Sequence, residues 1–355
     1  MDDHGIGEFD LIRRLRRATS MPAAATTSVV AGIGDDAAVL KLTPGCLLLV
    51  TTDLLLEHIH FDLACTTYRQ LGYKAAMANL SDIAAMGGVP RYVLIAMALT
   101  ARERPSDVAV LYAGIHAACR PAGTAVVGGD TSASRSGLFL SLTVLGEAVP
   151  QEVLRRSGAC TGDLIYVTGT LGDAQAGLEL LRGHKTGPRR TRLSARDKAF
   201  LIARHVTPTA RLAEAQRLAK GRLASAAIDL SDGLAGDLRH VCEESGVGAL
   251  VDVRRLPLSP SLLAYAQRQR QDPVAYALSG GEDYELLFTV PPTQVARVEA
   301  LIRRRQLRAT AIGAITPRRQ GLRLIGADGA VRPLTSKGYE HRLGELIPKG
   351  RSMPT

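Results

Sequence analysis

Some segments of this chain repeat apolar residues at the spacing of a helix, and others are short apolar runs typical of strands. Together they predict a protein that mixes helices with strands. Residues 66–86 carry apolar side chains at helical spacing and end at Gly87-Gly88-Val89-Pro90, a typical helix exit. Short apolar runs between turn residues predict strands in the same half of the chain. The expected strands are 37–42, 46–52, 92–99, 124–128 and 138–148, and the other expected helices are 7–18 and 106–119.

After Pro150 the pattern starts again, which indicates a second domain. DLIYVTG at 163–169 predicts a strand that enters a glycine turn, and GHKTGPRRTRL at 183–193 predicts a basic loop to which we assign no role. The remaining expected strands are 225–230, 248–253, 284–290, 309–315 and 322–325, and the helices are 173–182, 194–204, 209–219, 233–245 and 293–305. We therefore expect an α/β (α+β) fold with domains at 1–150 and 151–345 and a tail at 346–355.

The composition is that of an ordinary globular protein, with 46% hydrophobic and 22% charged residues. The longest apolar run, YVLIAMALTA at 92–101, has the length of a strand, so we expect no membrane helix. The acidic opening MDDHGIGEFD does not resemble a signal peptide. The cysteines stand at 46, 65, 119, 160 and 242 without a Cys-x-x-Cys pair, which favours a reducing, cytoplasmic location over a disulfide framework or a zinc site.

The net charge of +10 raises the question of nucleic-acid binding. Much of this charge lies in arginine-rich stretches such as RRLRR at 13–17 and RRR at 303–305. Aromatic residues make up only 4% of the chain and tryptophan is absent, so platforms for stacking single-stranded bases are not evident. We therefore expect basic helix faces on an enzyme, with no nucleic acid as partner.

GIGDDAAVL at 32–40 fits the loose dinucleotide-binding fingerprint, but its chemistry argues against that function. The fingerprint places backbone amides on a pyrophosphate, and Asp35 and Asp36 would repel that anion. The apolar stretch before it is also short for the strand that should precede it. No Walker A sequence occurs elsewhere in the chain, which excludes a P-loop nucleotide site.

Four further motifs place aspartates beside small or hydroxyl residues: TTD at 51–53, NLSD at 79–82, VGGDT at 127–131 and IDLSDG at 228–233. Each has an ordinary explanation, since Ser231 or Asp232 could cap a helix and Lys74 could pair with Asp82 two turns away. Taken together, they predict an acidic cavity that binds several Mg²⁺ ions, a pattern that favours phosphoryl transfer. The aspartates concerned are Asp36, Asp53, Asp82, Asp130, Asp229 and Asp232.

These motifs, in this order, resemble the thiamine-monophosphate kinase family, which belongs with the ATP-dependent synthetases that include aminoimidazole ribonucleotide synthetase. The resemblance extends over nearly the whole chain. It rests on GEFDLI at 7–12, GIGDDAAVL, TTD with HF at 60–61, YKAAMANLSDIAAMGGVP at 73–90, VGGDT, RRSGA at 155–159, GDLIYVTGTLGDAQAGL at 162–178, AIDLSDGL at 227–234, LSGGEDYEL at 278–286 and KGY at 337–339.

The resemblance implies phosphorylation of thiamine monophosphate by ATP with Mg²⁺ and a monovalent cation, K⁺. It implies metal ligands at Asp36, Thr51, Thr52, Asp53, Asp82, Asp130, Asp229 and Asp232. ATP contacts are implied at Gly129, Asp130, Arg156 and Ser231, and substrate contacts at His60, Glu282 and Tyr339. It further implies a homodimer whose N-terminal sheets pair, with ATP between the two domains.

A kinase of this kind needs no general base, because the acceptor phosphate is already largely dianionic near neutral pH. That agrees with the lack of an obvious Ser-His-Asp arrangement. Two alternatives stay open: another member of the superfamily such as aminoimidazole ribonucleotide synthetase, and a basic nucleic-acid-binding protein. LSGGEDYEL and KGY favour the kinase. Glu57 and His58 stand where relatives often have smaller residues, so the wall of the substrate pocket departs from the family pattern here.

Overall fold

The computed structural model describes residues 22, 27–33, 36–183, 193–336 and 338. The predicted helix at 7–18, most of the basic loop, Asp35 and Tyr339 lie outside the described residues. The first half contains a hairpin of β1 (Val29–Ala31) and β2 (Val39–Leu40). It also contains a four-stranded sheet in the order β3 (Leu47–Leu56), β6 (Phe139–Ala148), β4 (Val89–Leu99) and β5 (Ala125–Ala133).

Two long helices, α1 (Tyr68–Ala85) and α2 (Pro105–Ala122), cover one face of this sheet. A capping box formed by Thr67 and Gln70 starts α1. The helices cross closely at Gly72 and Gly114, where an added Cβ would collide with the backbone of the other helix. Helix α1 also packs against the second half of the chain, so most of its surface is buried.

The second half is built on a seven-stranded mixed sheet. Its strands are β7 (Leu164–Thr168), β8 (Ala226–Asp229), β9 (Gly248–Asp252), β10 (Leu286–Val290), β11 (Ala309–Thr316), β12 (Leu322–Ile325) and β13 (Val331–Pro333). They lie in the order β13-β12-β9-β11-β7-β10-β8. The helices of this half are α3 (Asp173–Leu181), α4 (Ala195–Val206), α5 (Leu212–Gly221), α6 (Leu234–Ser245), α7 (Pro260–Gln269), α8 (Pro273–Ser279) and α9 (Pro292–Arg303). The predicted mixed α/β class is confirmed.

Two motifs lie inside strands, although the sequence placed them at strand ends. The predicted strand at 46–52 continues to Leu56, because every residue from Leu47 onward pairs with β6. Asp53 therefore lies in the middle of β3. Strand β5 likewise runs through Gly128–Ala133 beside β4, so VGGDT is extended backbone and not a loop after a strand.

Other differences concern the extent of elements. The strand expected at 37–42 is only two residues long. Helices α7 and α8 were not predicted, although Ser259 and Asp272 cap them and a proline follows each cap. Within the described ranges, no helix combines the length and the apolar character that a membrane crossing needs.

Candidate functional site

Two cavities meet at a cluster of carboxylates where the halves of the chain come together. The first has a volume of about 660 Å³ and the second about 560 Å³. Asp82 of α1 and Asp229 of β8 line both. Both volumes lie in the usual range for small-molecule sites, which is about 300–1,000 Å³.

Neighbouring residues of α1 bind different halves of the chain at this cluster. Thr51 on β3 donates a hydrogen bond of 2.5 Å from Oγ1 to Oδ2 of Asp82. Ser81 donates one of 2.8 Å from Oγ to Oδ2 of Asp229. Strand alternation turns Thr51 and Asp53 to the same face of β3. Helix α1 therefore joins the TTD motif of the first half to the IDLSDG motif of the second.

Burial and mutual repulsion raise the pKa values of these carboxyl groups. Burial, and then the charge of Asp82, raises the pKa of Asp53 to about 6 and that of Asp229 to about 7. Burial also raises the pKa of Asp82, against the hydrogen bond from Thr51 and the charge of Arg156. A bound cation would relieve this repulsion and favour the ionised carboxylates.

Asp237 is a member of the cluster that the sequence did not identify. Its Oδ2 accepts a hydrogen bond of 3.1 Å from the backbone N–H of Asp232. Burial, followed by the charges of Asp229 and Asp232, raises the pKa of Asp237 to about 8. The sequence signal that could have identified Asp237 is an acidic residue in the first turn of α6. That helix begins at Gly233 without a side-chain cap, so the capping role considered for Ser231 and Asp232 is not observed.

Four of the predicted ATP and metal residues do not reach this cluster through their side chains. Thr52 faces the other side of β3 and contacts Thr143 of β6. Asp130 and Asp36 are exposed and line neither cavity. Gly129 has a structural reason to be glycine, because a Cβ there would collide with the backbone of Ile95.

The other predicted residues line the cavities. Arg156 borders the second cavity with Arg155 and Ser157, and its charge lowers the pKa values of nearby carboxyl groups. Ser231, Asp232 and His60 border the first cavity, where Nδ1 of His60 accepts a 3.0 Å hydrogen bond from the backbone N–H of Leu56.

Glu282 lies at the far end of the first cavity with two partners that the sequence did not assign to it. Nζ of Lys74 is 2.6 Å from Oε1 of Glu282, and Nδ1 of His205 is 3.3 Å from Oε2. Lys74 therefore pairs with Glu282 and not with Asp82, the partner considered for it from the sequence. Burial alone would raise the pKa of Glu282, but Lys74 and His205 outweigh it and lower that pKa.

Backbone hydrogen bonds fix the loop that carries Glu282. The N–H groups of Glu282 and Tyr284 donate to the carbonyl oxygens of Ser231 and Leu230, at 2.8 and 2.9 Å. Glu282 and Tyr284 have φ values of 68° and 51°, in the left-handed region of backbone conformation that residues other than glycine rarely adopt. LSGGEDYEL and IDLSDG thus form one unit beside the carboxylate cluster, and strain of this kind is frequent at functional sites.

The residues that depart from the family pattern are not part of the cavity lining. Glu57 is buried, receives the backbone N–H of Leu138 and pairs with Arg102 at 2.6 Å. His58 is exposed and borders neither cavity. Glu57 therefore supports the fold behind the site.

The donor set suits Mg²⁺, which prefers oxygen ligands and is typically held by one or two carboxylates together with substrate phosphates. Among the described residues, no three His, Cys, Asp or Glu side chains are grouped so that they could hold one ion by themselves. An Mg²⁺ ion bound at this cluster would therefore take phosphate oxygens of a substrate among its ligands.

The class of this fold and site follows from two family models. Residues 34–148 match the N-terminal domain of AIR synthase related proteins, and residues 161–325 match their C-terminal domain. A thiamine-monophosphate kinase of Salmonella typhimurium strain LT2 is 38% identical over 94% of this chain and 98% of its own length. The Escherichia coli K12 enzyme of the same name is also 38% identical, over 94% and 98%. The chain belongs to the thiamine-monophosphate kinase family.

Solved structures agree with this assignment. The thiamine-monophosphate kinase of Stenotrophomonas maltophilia K279a has 35% sequence identity and a TM-score of 0.78, and the match covers 91% of this chain and 97% of that one. A structure described as AaThiL complexed with AMPPCP and TMP has 35% identity and a TM-score of 0.72, with coverages of 95% and 97%.

Proposed function

We propose that this chain transfers the terminal phosphate of ATP to thiamine monophosphate and forms thiamine diphosphate. The observation that carries the proposal is the convergence of Asp53, Asp82 and Asp229 between two cavities of substrate size. The full-length relatives named thiamine-monophosphate kinase support it, as does the related complex with AMPPCP and TMP. Burial raises the pKa of each of these three carboxyl groups, and the charge of Asp82 raises that of Asp53 and Asp229 further, as expected of a site for cations and polyanions.

The chemistry requires the chain to align two polyanions and not to remove a proton. An oxygen of the acceptor phosphate forms a bond to the γ-phosphorus of ATP, and the bond from that phosphorus to the β–γ bridging oxygen breaks, which leaves ADP. The acceptor phosphate has a second pKa of about 6, so it is mainly dianionic near pH 7 and needs no base. The task of the site is therefore orientation and charge compensation.

We assign the metal and nucleotide contacts to the residues that the family resemblance named. Mg²⁺ ions and a K⁺ ion, when bound, would neutralise phosphate charge. Asp53, Asp82, Asp229 and Asp232 already lie together, and Thr51 holds Asp82 in place. The exposed Asp36 and Asp130 would join it on binding, whereas Thr52, also named by the resemblance, has its side chain on the other face of β3 and would not contribute that side chain. We assign ATP to Gly129, Asp130, Arg156 and Ser231, with the Arg156 guanidinium as a phosphate clamp.

The acceptor would occupy the first cavity, with its phosphate toward the carboxylates and its rings toward His60 and Glu282. Tyr339, which lies outside the described residues, stays a predicted contact to the cationic ring. The first half, at 1–150, would supply most metal ligands and the dimer contact. The second half, at 151–345, would supply Arg156, IDLSDG and Glu282.

We also propose a homodimer and a cytoplasmic location. The outer face of β3, at one edge of its sheet, exposes Leu48, Val50 and Leu54, a row of apolar side chains that a second copy could cover. The five cysteines form no disulfide, which agrees with a reducing compartment.

The test is a chromatographic assay of the purified protein with ATP, Mg²⁺ and thiamine monophosphate. Parallel reactions would contain free thiamine or formylglycinamidine ribonucleotide in place of the monophosphate. We expect thiamine diphosphate only in the first reaction. ATP consumption that depends on the ribonucleotide instead would move the protein to the synthetase branch, and no ATP turnover with salt-sensitive binding to RNA or DNA would contradict the enzyme assignment.

A further inference from the structure

Lys74 forms a connection across the first cavity that the family resemblance does not account for. It belongs to α1 in the first half, whereas its partners Glu282 and His205 belong to the second half. Its side chain is only 10% exposed, and its Nζ is also 3.4 Å from Nε2 of His205. The Glu282 side chain is 31% exposed, so part of its carboxylate stays open to the cavity.

Helix α1 places Lys74 and Asp82 at opposite ends of this cavity. Lys74, Ala78 and Asp82 are spaced at four-residue intervals, and all three line it. Eight residues of α-helix correspond to about 12 Å along the axis. The carboxylates therefore bound one end, where the phosphates would lie, and Glu282 with its partners bounds the other.

His205 completes the arrangement without adding a second positive charge. Burial, and then the charge of Lys74, lowers the pKa of His205 to about 4, so its ring is neutral near pH 7. A neutral ring whose Nε2 accepts from Lys74 carries its hydrogen on Nδ1, on the side of Glu282. One ammonium thus balances one carboxylate. His60 and Tyr284 are further titratable groups close to Glu282, and the charge of Arg182 acts on His205.

We propose, given the kinase activity proposed above, that Lys74 is a positioning residue for the acceptor substrate. With neutral His205, it holds the carboxylate of Glu282 in the orientation that receives the rings of the acceptor. Lys74 does not bind phosphate, because its ammonium already pairs with Glu282, about two helical turns from the carboxylate cluster. Since Lys74 comes from the other half, the pair also fixes the width of the cavity at this end.

The test compares Lys74→Met with Lys74→Arg and with Lys198→Met. Lys198 is an exposed lysine of α4 outside the cavity lining, so its variant is the matched control. Lys74→Met should raise KM for thiamine monophosphate on the order of tenfold, because it leaves Glu282 without its charged partner. KM for ATP and kcat should stay unchanged, Lys74→Arg should recover part of the loss, and Lys198→Met should behave as wild type.

A second experiment introduces Lys74→Met into the Glu282→Gln variant. If Lys74 acts through Glu282, adding Lys74→Met to Glu282→Gln should give no further rise in KM. An equal rise on both backgrounds, an unchanged KM, or a loss confined to kcat would each overturn the inference. If Lys74→Met does not fold, Lys74→Gln serves in the same comparison. A wild-type protein that makes no thiamine diphosphate would overturn the proposed function itself, a result distinct from an active enzyme with an unaffected Lys74 variant.

Discussion

At the scale of single residues, the site depends on carboxyl groups that the fold buries close to one another. The sequence identified Asp53, Asp82, Asp229 and Asp232 because each stands in a motif of small and hydroxyl residues. Asp237 was missed because its role comes from a turn of α6 folding back on the backbone of Asp232, a contact between positions that share no motif.

Asp232→Asn should abolish turnover, by at least about a hundredfold, because it removes a carboxylate from the place where phosphate charge must be compensated. The fold should be retained, since the backbone N–H of Asp232, which contacts Asp237, is unchanged. Steady-state kinetics and a thermal melt measure the two effects. Asp328→Asn, in an exposed turn, is the control. Near-normal activity would remove Asp232 from the proposed metal set.

Asp283→Asn should make thermal stability less dependent on pH. Burial raises the pKa of Asp283 to about 7, while its carboxylate accepts N–H groups at the start of α3. The folded protein therefore keeps a proton that the unfolded chain releases near pH 3.8, so this contribution is complete below that pH and is lost as pH rises to about 7. As pH rises from 4 to 8, the melting temperature should therefore fall by a few °C less in the variant than in the wild type. If the melting temperatures of the variant and the wild type change with pH in parallel, the raised pKa does not belong to Asp283.

At the scale of elements, α1 and α2 approach so closely that glycine is required at their crossing. This contact depends on Gly72 and Gly114, which the sequence pattern alone marks only as weak points of predicted helices. The helices and strands themselves were largely predictable, because their periods and caps are local signals. Strand ends were not, because β6 and β4 extend the pairing of β3 and β5 through residues such as Asp53 and Asp130.

Gly114→Ala should destabilise the protein by about 1–3 kcal/mol, because the new methyl group collides with the carbonyl of Arg69 on α1. Chemical denaturation followed by circular dichroism measures this change. Val110→Ala on the exposed side of α2 is the control, and it should alter stability by less than about 0.5 kcal/mol. Equal effects of the two substitutions would show that the crossing tolerates a side chain.

At the scale of the whole molecule, the apolar row on β3 gives the protein a surface suited to a second copy. The four-stranded sheet has helices on one face, and the side chains of Leu48, Val50 and Leu54 leave the other face of β3 exposed. The sequence could not reveal this row directly, because the apolar runs on either side of TTD in β3 also fit a strand buried on both faces.

Val50→Glu should convert the proposed dimer into a monomer, because it places a charge in the centre of the apolar row. Sedimentation equilibrium at micromolar concentration measures the mass directly. Val331→Glu, which changes another exposed valine, on β13, should leave the mass unchanged. A monomeric wild-type protein would contradict the proposed assembly.

The side chains of Ser81 and Asp82 point to different halves of the chain, and this limits how the gene can be recombined. A chimera joined at 150–160 would combine α1 from one parent with β8 and α6 from another. It would keep both domains folded and still lose the contact from Ser81 to Asp229 if the parents differ there. The unit that must be inherited together is therefore β3 and α1 with β8 and the start of α6, a module that crosses the domain boundary.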